Sequence, residues 1–335
     1  MIERIRFRNF KALKHAELKL GPFNLIVGPN GSGKSSVLQG FEALANPPLF
    51  THRSLVTAGC EAQGWSVDAR LSVMGTHEWI GIDIKHGAPR PRLASQGGER
   101  LIEGPALEKL FGEFRTSRVY ALEPSKMTQA TDARHVKELE RDGSNLGGAL
   151  TYIRDQDEDA YDHLREELSR WLPEFDGIGF KNDQNNNRQL CLRQAESKKQ
   201  IVASEISEGT LLALALLTIA HQPSSPTLIG LEEPDRALHP RLLRDVRDAL
   251  YRLAFPSDYG LKRKPVQVIA TTHSPYFLDL FREHPEQIII AQKQEDGTAT
   301  FKSLGDDEQL REIIGDAPLG EVWYSGVLGG VPLLK

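Results

Sequence analysis

Near the start of the chain, Phe23-Asn24-Leu25-Ile26-Val27-Gly28-Pro29-Asn30-Gly31-Ser32-Gly33-Lys34-Ser35-Ser36 restricts the fold more than any other stretch. An apolar strand pattern runs into G-x-x-x-x-G-K-S and then into an apolar helix pattern from Val37-Leu38. In that context the string is a phosphate-binding loop. Its glycines let the backbone turn tightly, so that N–H groups face a β-phosphate, and the following helix adds its positive dipole end. Asn30, Gly31, Ser32, Gly33 and Ser36 line the loop. Lys34 supplies a mobile charge for the β- and γ-phosphates, and Ser35 a hydroxyl ligand for Mg²⁺.

A sheet strand feeding such a loop needs neighbours, and the rest of the chain provides them. Residues 2–9 alternate, with Ile5 and Phe7 on the apolar side, and read as a strand. Ala16 to Leu20 reads as a second strand, and residues 34–44 as a helix closed by Asn46-Pro47-Pro48. Trp65 to Val73 and Trp79 to Ile84 read as strands. The Gly-, Pro-, Arg- and Ser-rich residues 86–104 read as a loop. Val119 to Leu122 is a short strand. Two helical patterns follow in 145–172, the second with Tyr161, Leu164, Leu168 and Trp171 on one face. Asp183 to Asn187 is an Asn-rich turn between strands. Pro226 to Leu231 is a buried-strand run ending in Glu232-Glu233, Arg241 to Leu253 a helix, and Val266 to Ala270 a strand entering Thr271-Thr272-His273-Ser274-Pro275. Ile288 to Ala291 and Thr298 to Lys302 are terminal strands. The pattern is alternating α/β with a parallel sheet at its centre.

Composition narrows the partners. The chain has 335 residues, 39% hydrophobic and 26% charged, a globular balance with length for one large domain or two ordinary ones. Cys60 and Cys191 give neither a disulfide framework nor a metal spacing. A net charge of −5 argues against a surface coated for phosphate but leaves room for a local basic patch. Arg4, Arg6, Arg8, Lys11 and Lys14, and Arg241, Arg244 and Arg247 at helical spacing, are the places for one, and solvated faces explain them equally well. The charged start Met1-Ile2-Glu3-Arg4 lacks the pattern of a signal peptide, and Leu211 to Ala220 is too short to span a bilayer. A cytoplasmic protein without a membrane partner is expected.

Three further motifs bear on chemistry. Glu232-Glu233 ends a buried strand, where ligands bind in open α/β sheets. Glu232 is assigned to Mg²⁺ and Glu233 to the base that polarises the attacking water, although two surface acids at a strand end would look the same. Ser207-Glu208-Gly209-Thr210 opens an apolar helix. Ser207 and Gly209 offer a hydroxyl and N–H groups to an anion, or an ordinary N-cap. His273, just after a strand, can hydrogen-bond a γ-phosphate or the attacking water.

In this order the phosphate loop, S-x-G signature, strand-acid-Glu and strand-T-H-S resemble the ATP-binding-cassette superfamily. More narrowly, they resemble its RecF/SMC-like, AAA-type ATPases without long arms, an OLD-like ATPase domain without a nuclease domain. Ile5-Arg6-Phe7-Arg8-Asn9-Phe10-Lys11, Leu231-Glu232-Glu233-Pro234-Asp235 with Leu238-His239-Pro240, and Gly320 to Gly326 resemble segments of that group. The chain departs from the pattern at Glu208, where transporter cassettes carry Gly, and at Glu232, where Asp is usual.

The resemblance implies a P-loop NTPase fold with a cassette-type head: a mixed sheet core, a helical lobe and N-terminal antiparallel strands. It would be one ATPase head over 1–335, with lobes at 1–130, 131–220 and 221–335. ATP and Mg²⁺ are the implied ligands, and hydrolysis to ADP and phosphate the reaction. Two subunits would sandwich two ATP molecules head to tail, Ser207 and Gly209 contacting the γ-phosphate held by the other subunit. Lys11 would contact nucleotide, Asp235 to Leu238 would line the dimer seam, and the Q-loop would fall around Tyr120 to Lys126. DNA and a nuclease or other effector are the implied partners, in repair or phage defence. A transporter motor subunit and a nucleotide-gated scaffold with little hydrolysis share the same loop. The guanine motif N-K-x-D is absent from the sequence, which argues against a GTPase.

Overall fold

The computed structural model describes all residues except 51–54, 61–62, 72–78, 85–89, 96–97, 102–110, 113, 133, 135, 183–186, 307–316 and 329–335. Most of the Asn-rich turn expected at Asp183 to Asn187 therefore lies outside the described residues. The chain forms two compact units from interleaved segments. The first comprises 1–119, 226–233 and 254–335, and the second 120–225 and 234–253.

The chain begins with β1 (Ile2–Phe10), β2 (Leu13–Lys19), β3 (Phe23–Val27) and α1 (Lys34–Ala45). Next come β4 (Trp65–Leu71), β5 (Trp79–Ile84), β6 (Arg90–Ser95) and β7 (Gly98–Leu101). Six of these strands make an antiparallel sheet in the order β2-β1-β4-β5-β6-β7. Ile5 and Phe7 of β1 are fully buried in one apolar core with Phe41 of α1 and Val67 of β4. Arg6, on the opposite face of β1, lies 4.4 Å from the centroid of the Trp79 ring.

The loop expected over 86–104 is corrected here, because β6 and β7 occupy 90–95 and 98–101. Leu93 packs into the core. The buried Arg92 is held bidentately by Asp68 at 2.8 and 3.0 Å, with Asp83 at 3.4 Å. A fully buried carboxylate opposite a guanidinium turns an apparently loop-like Arg into an interior sheet residue.

After β8 (Arg118–Tyr120), the second unit holds α2 (Leu146–Gln156), α3 (Glu158–Trp171) and the three-stranded sheet β11-β10-β9. Those strands are Phe175–Asn182, Arg188–Gln194 and Gln200–Val202, in chain order β9 to β11. It also holds α4 (Glu208–His221). Asp157 caps α3 by accepting from the Ala160 N–H at 2.9 Å. Tyr161, Leu164, Leu168 and Trp171 are its buried stripe, as the spacing predicts. Leu211 to Ala220 of α4 are all buried, so the longest apolar run of the sequence is an interior helix. Among the described residues no helix is long and apolar enough to cross a membrane.

Glu167 of α3 ties this unit together. Its carboxylate meets Arg252 at 2.5 Å, Arg170 at 3.0 Å and the His221 imidazole at 3.1 Å. Burial pushes its pKa up, but the His221 hydrogen bond and the Arg252 and Arg170 charges outweigh burial and hold it below the ordinary value. A carboxylate with a depressed folded-state pKa stabilises the fold above its unfolded pKa, and the contribution fades as pH falls through the folded value. Glu167→Gln should therefore cost about 1–3 kcal/mol in urea unfolding at pH 7. The gap to wild type should shrink in acid. A gap constant from neutral to acid pH would show that the charge of Glu167 is not what stabilises.

The remaining strands are β12 (Leu228–Glu232), β13 (Gln267–Thr272), β14 (Ile288–Lys293) and β15 (Ala299–Ser303). The helices among them are α5 (Leu243–Ala254) and α6 (Pro275–Asp279). Helix α5 begins two residues later than its expected start at Arg241, because Pro240 opens a 3₁₀ turn over 240–242. His239 Nδ1 caps that turn by accepting from the Arg241 N–H at 3.2 Å.

The second six-stranded sheet runs β15-β14-β3-β13-β12-β8. β3 is parallel to β13 and β14, β13 is parallel to β12, and β15 is antiparallel to β14. The result is the mixed sheet with a parallel centre expected from the sequence. Val27 pairs with Thr272, and Thr271 with Glu232. The carboxyl ends of β3, β13 and β12 thus share one edge of the sheet, and Gly28, His273 and Glu233 leave it side by side.

Candidate functional site

The loop after β3 has the construction a phosphate requires. Gly31 and Gly33 take φ of 74° and 88°, a region side chains avoid. A Cβ on Gly33 would also lie 2.8 Å from that of Ala299, so the turn closes against β15 only with glycine there. Asn30 and Gly31 are exposed at the tip, whereas Ser32, Gly33, Lys34 and Ser36 are buried. Gly33 caps α1 without any side-chain hydrogen bond, and the first turn carries no acid. The first N–H groups of α1 are thereby left to an anion.

Lys34 folds back into the loop and donates to the carbonyl oxygens of Gly28 at 2.7 Å and Pro29 at 3.0 Å. The Ser32 hydroxyl is buried with no hydrogen-bond partner among the described residues. A buried, unpartnered hydroxyl in a glycine-rich turn fits an incoming phosphate oxygen.

Ser35 and Glu232 meet directly, the hydroxyl donating to Glu232 Oε1. One hydroxyl and one carboxylate, both hard oxygens at the mouth of a phosphate loop, fit Mg²⁺, which takes few protein ligands and completes its octahedron with phosphate and water. Glu233, the next residue, takes φ of 47°. Its N–H donates to the Thr271 hydroxyl at 3.2 Å, which holds the chain in that turn. Its Oε1 lies 2.9 Å from His273 Nδ1, and the His273 ring is half exposed. The structure thus brings Lys34, Ser35, Glu232, Glu233 and His273 to one edge of one sheet. Lys11, itself at φ 54°, donates from its ammonium to Gln39 of α1 at 2.5 Å.

Ser207 and Gly209 belong to the second unit. Ser207 is exposed and caps α4, accepting from the Thr210 N–H at 3.2 Å. Gly209 packs on the segment after the acid pair: a Cβ there would sit 2.5 Å from the Ala237 carbonyl oxygen. Ala237 takes φ of 56°, and Arg236 donates to the Leu122 carbonyl at 2.6 Å. The stretch Tyr120 to Lys126 contains no glutamine, and the first one after it is the exposed Gln129. Lys126 there pairs with Glu123 and Asp142, each at 3.0 Å. Burial works to raise Asp142, but hydrogen bonds from Lys126 and Ser144 prevail and lower it to about 2.

Periodicity had no means of finding the role of Thr271 or the left-handed turn at Glu233. A buried threonine closing a strand beside an acid pair was the available signal.

A phosphate loop on a parallel strand, an acid pair at the neighbouring strand's end and a histidine after the strand between them define a P-loop nucleoside triphosphatase head of the ATP-binding-cassette type. Residues 98–279, more than half of the chain, match the family described as "AAA domain, putative AbiEii toxin, Type IV TA system". Residues 1–72 match the family described as "AAA ATPase domain". The chain belongs to the first of these families, an AAA domain family.

It is 24% identical to an OLD nuclease of Thermus scotoductus over 92% of its own length and 65% of that protein. It is 37% identical to the DNA replication and repair protein RecF of Actinobacillus pleuropneumoniae over 30% of its length and 29% of that protein. The chain therefore spans less than two thirds of either relative. Among solved structures, the SMC head domain of Thermotoga maritima superposes with a TM-score of 0.52 at 15% identity, covering 90% of this chain and 98% of that one, a likeness of fold.

Proposed function

We propose that the chain is an ATPase whose two units act as one head, and that two copies close head to tail around two molecules of ATP. The observation that carries this reading is the junction of Ser35 with Glu232 beside the buried Lys34, with Glu233 and His273 at the next position outward. In this reading the N–H groups of the loop and α1 orient the β-phosphate, and Lys34 turns from the carbonyls of Gly28 and Pro29 to the β- and γ-phosphates. Ser35 and Glu232 would hold Mg²⁺, which supplies charge neutralisation between the β- and γ-phosphates. Glu233 takes the proton of the attacking water. His273 orients Glu233 through its Nδ1–H. Ser207 and Gly209 serve the nucleotide of the opposite subunit, an assignment supported by the exposure of Ser207 at a helix N-terminus. The likeness to an OLD nuclease and to RecF supports work on or near DNA beside a nuclease or other effector, in repair or defence.

The twofold arrangement is tested by Ser207→Arg. Light scattering with ATP should show a monomer, while calorimetry finds ATP affinity within about threefold of wild type, since the substituted residue is outside the loop that binds first. Mixing Ser207→Arg chains with Lys34→Ala chains should recover hydrolysis, because one composite site then holds an intact loop and an intact signature. Dimers of Ser207→Arg that hydrolyse ATP normally would refute the reading.

A further inference from the structure

The second unit contains a pocket that the nucleotide chemistry leaves unused. It has a volume of about 340 Å³, and four arginines line it: Arg154, Arg165, Arg188 and Arg193. Tyr161 and Gln200 line it as well. These residues come from α2, α3 and all three strands of the β11-β10-β9 sheet, so the convergence is tertiary and absent from any local charge run.

Glycine keeps the space open on the β9 side. Gly177 lies opposite Arg193 in the ladder, and Arg193 opposite Gln200. A Cβ on Gly177 would come within 3.3 Å of the Arg193 guanidinium. β9 is one of the two edge strands of its sheet, and the outer side of an edge strand carries backbone N–H donors.

The arginines are held in ways that a stronger anion can replace. Arg154 meets Asp155 at 2.7 Å, Arg165 meets Asp162 at 3.0 Å and Arg193 meets Asp176 at 2.6 Å. These are partly exposed pairs, of the kind that contributes little to stability. Arg188 donates to a neutral acceptor, Asn182 Oδ1, at 2.8 Å. The Arg154 guanidinium also lies 5.2 Å from the centroid of the Phe180 ring, a ring able to face a base or sugar. Burial raises the Tyr161 pKa more than the Arg154 and Arg165 charges lower it, so its hydroxyl stays a donor at neutral pH. Guanidinium forks match phosphate oxygens bidentately, and the volume suits one nucleotide rather than a duplex.

We propose that this pocket is a second phosphate-binding site, built from residues other than the phosphate loop, and that it takes a terminal phosphomonoester of single-nucleotide size. A free mononucleotide and the phosphorylated 5′ end of a nucleic acid strand both carry that group.

The test uses the full chain with Lys34→Ala, so that failure of the loop assignment does not interfere. Adenosine 5′-monophosphate, and a short single-stranded oligonucleotide with either a 5′-phosphate or a 5′-hydroxyl, are titrated by calorimetry. The phosphorylated strand should bind at least about tenfold tighter than its hydroxyl counterpart, the worth of a charge-assisted contact. Arg188→Gln with Arg193→Gln should erase that preference, and so should Arg165→Gln, a change on a helix surface. The same arginine changes in the Lys34 chain should leave ATP affinity intact, which certifies the fold. Monophosphate binding that those changes remove identifies the free nucleotide as a ligand. A preference confined to the phosphorylated strand identifies the strand end. No binding of either, or binding that all the arginine variants retain, overturns the site.

Discussion

Lys34→Ala is expected to weaken ATP binding about 10- to 100-fold, the range for removing a charge-assisted hydrogen bond from a buried site. The Lys34 side chain is buried inside the loop and is now satisfied by two carbonyl oxygens of its own turn, Gly28 and Pro29. Nucleotide binding would exchange those neutral acceptors for a triphosphate. The ammonium is already desolvated and placed, so little ordering cost remains. The substitution also removes two hydrogen bonds that shape the loop. Lys34→Met, which keeps most of the aliphatic stem, separates charge from packing. Calorimetry with ATP and Mg²⁺ should show both variants weakened to a similar degree, with melting temperatures close to wild type. If Lys34→Met bound like wild type, the ammonium would have no phosphate to serve and the loop assignment would fall.

Local pattern and long-range partnership divide what the sequence reveals from what it hides. The strand, glycine turn and helix over 23–45, the buried stripe of α3 and the apolar run of α4 are written in consecutive residues, and the structure keeps all three. The strands at 90–95 and 98–101 are not, because Arg92 reads as a surface residue until Asp68 arrives from a strand 24 positions earlier. The acid pair shows the same division. That Glu232 and Glu233 end a strand is legible. That Glu233 turns left-handed there depends on Thr271, 38 residues away, and that Glu232 faces Ser35 depends on a pairing across 197 residues. Alternation along a strand indicates which side chains share a face but not which neighbour lies across the ladder. The interleaving of the two units likewise has no local signature.

Glu233→Gln tests the chemistry that the turn at Glu233 prepares. A non-glycine residue at φ 47° costs conformational energy, and such strain persists where surrounding contacts over-determine it. Two contacts do so here, the Thr271 hydroxyl on the Glu233 N–H and the His273 ring on its carboxylate. Glutamine has the same length and can keep both, so the substitution removes proton-accepting capacity and little else. The expected result is a fall in ATP turnover of about a hundredfold to ten-thousandfold, the worth of a positioned general base. ATP affinity should stay within about threefold, because Lys34, Ser35 and the loop N–H groups are untouched. With binding intact and hydrolysis stopped, the ATP-bound dimer should accumulate and be visible by light scattering, in contrast to the monomer expected of Ser207→Arg. Thr271→Val supplies the complementary case. It leaves the carboxylate in place but removes the hydroxyl that accepts the Glu233 N–H, so turnover should fall more modestly, by about tenfold, as expected for a displaced catalytic group. Turnover of Glu233→Gln at the wild-type rate would move the base elsewhere, with the exposed His273, 2.9 Å from Glu233, the next residue to replace.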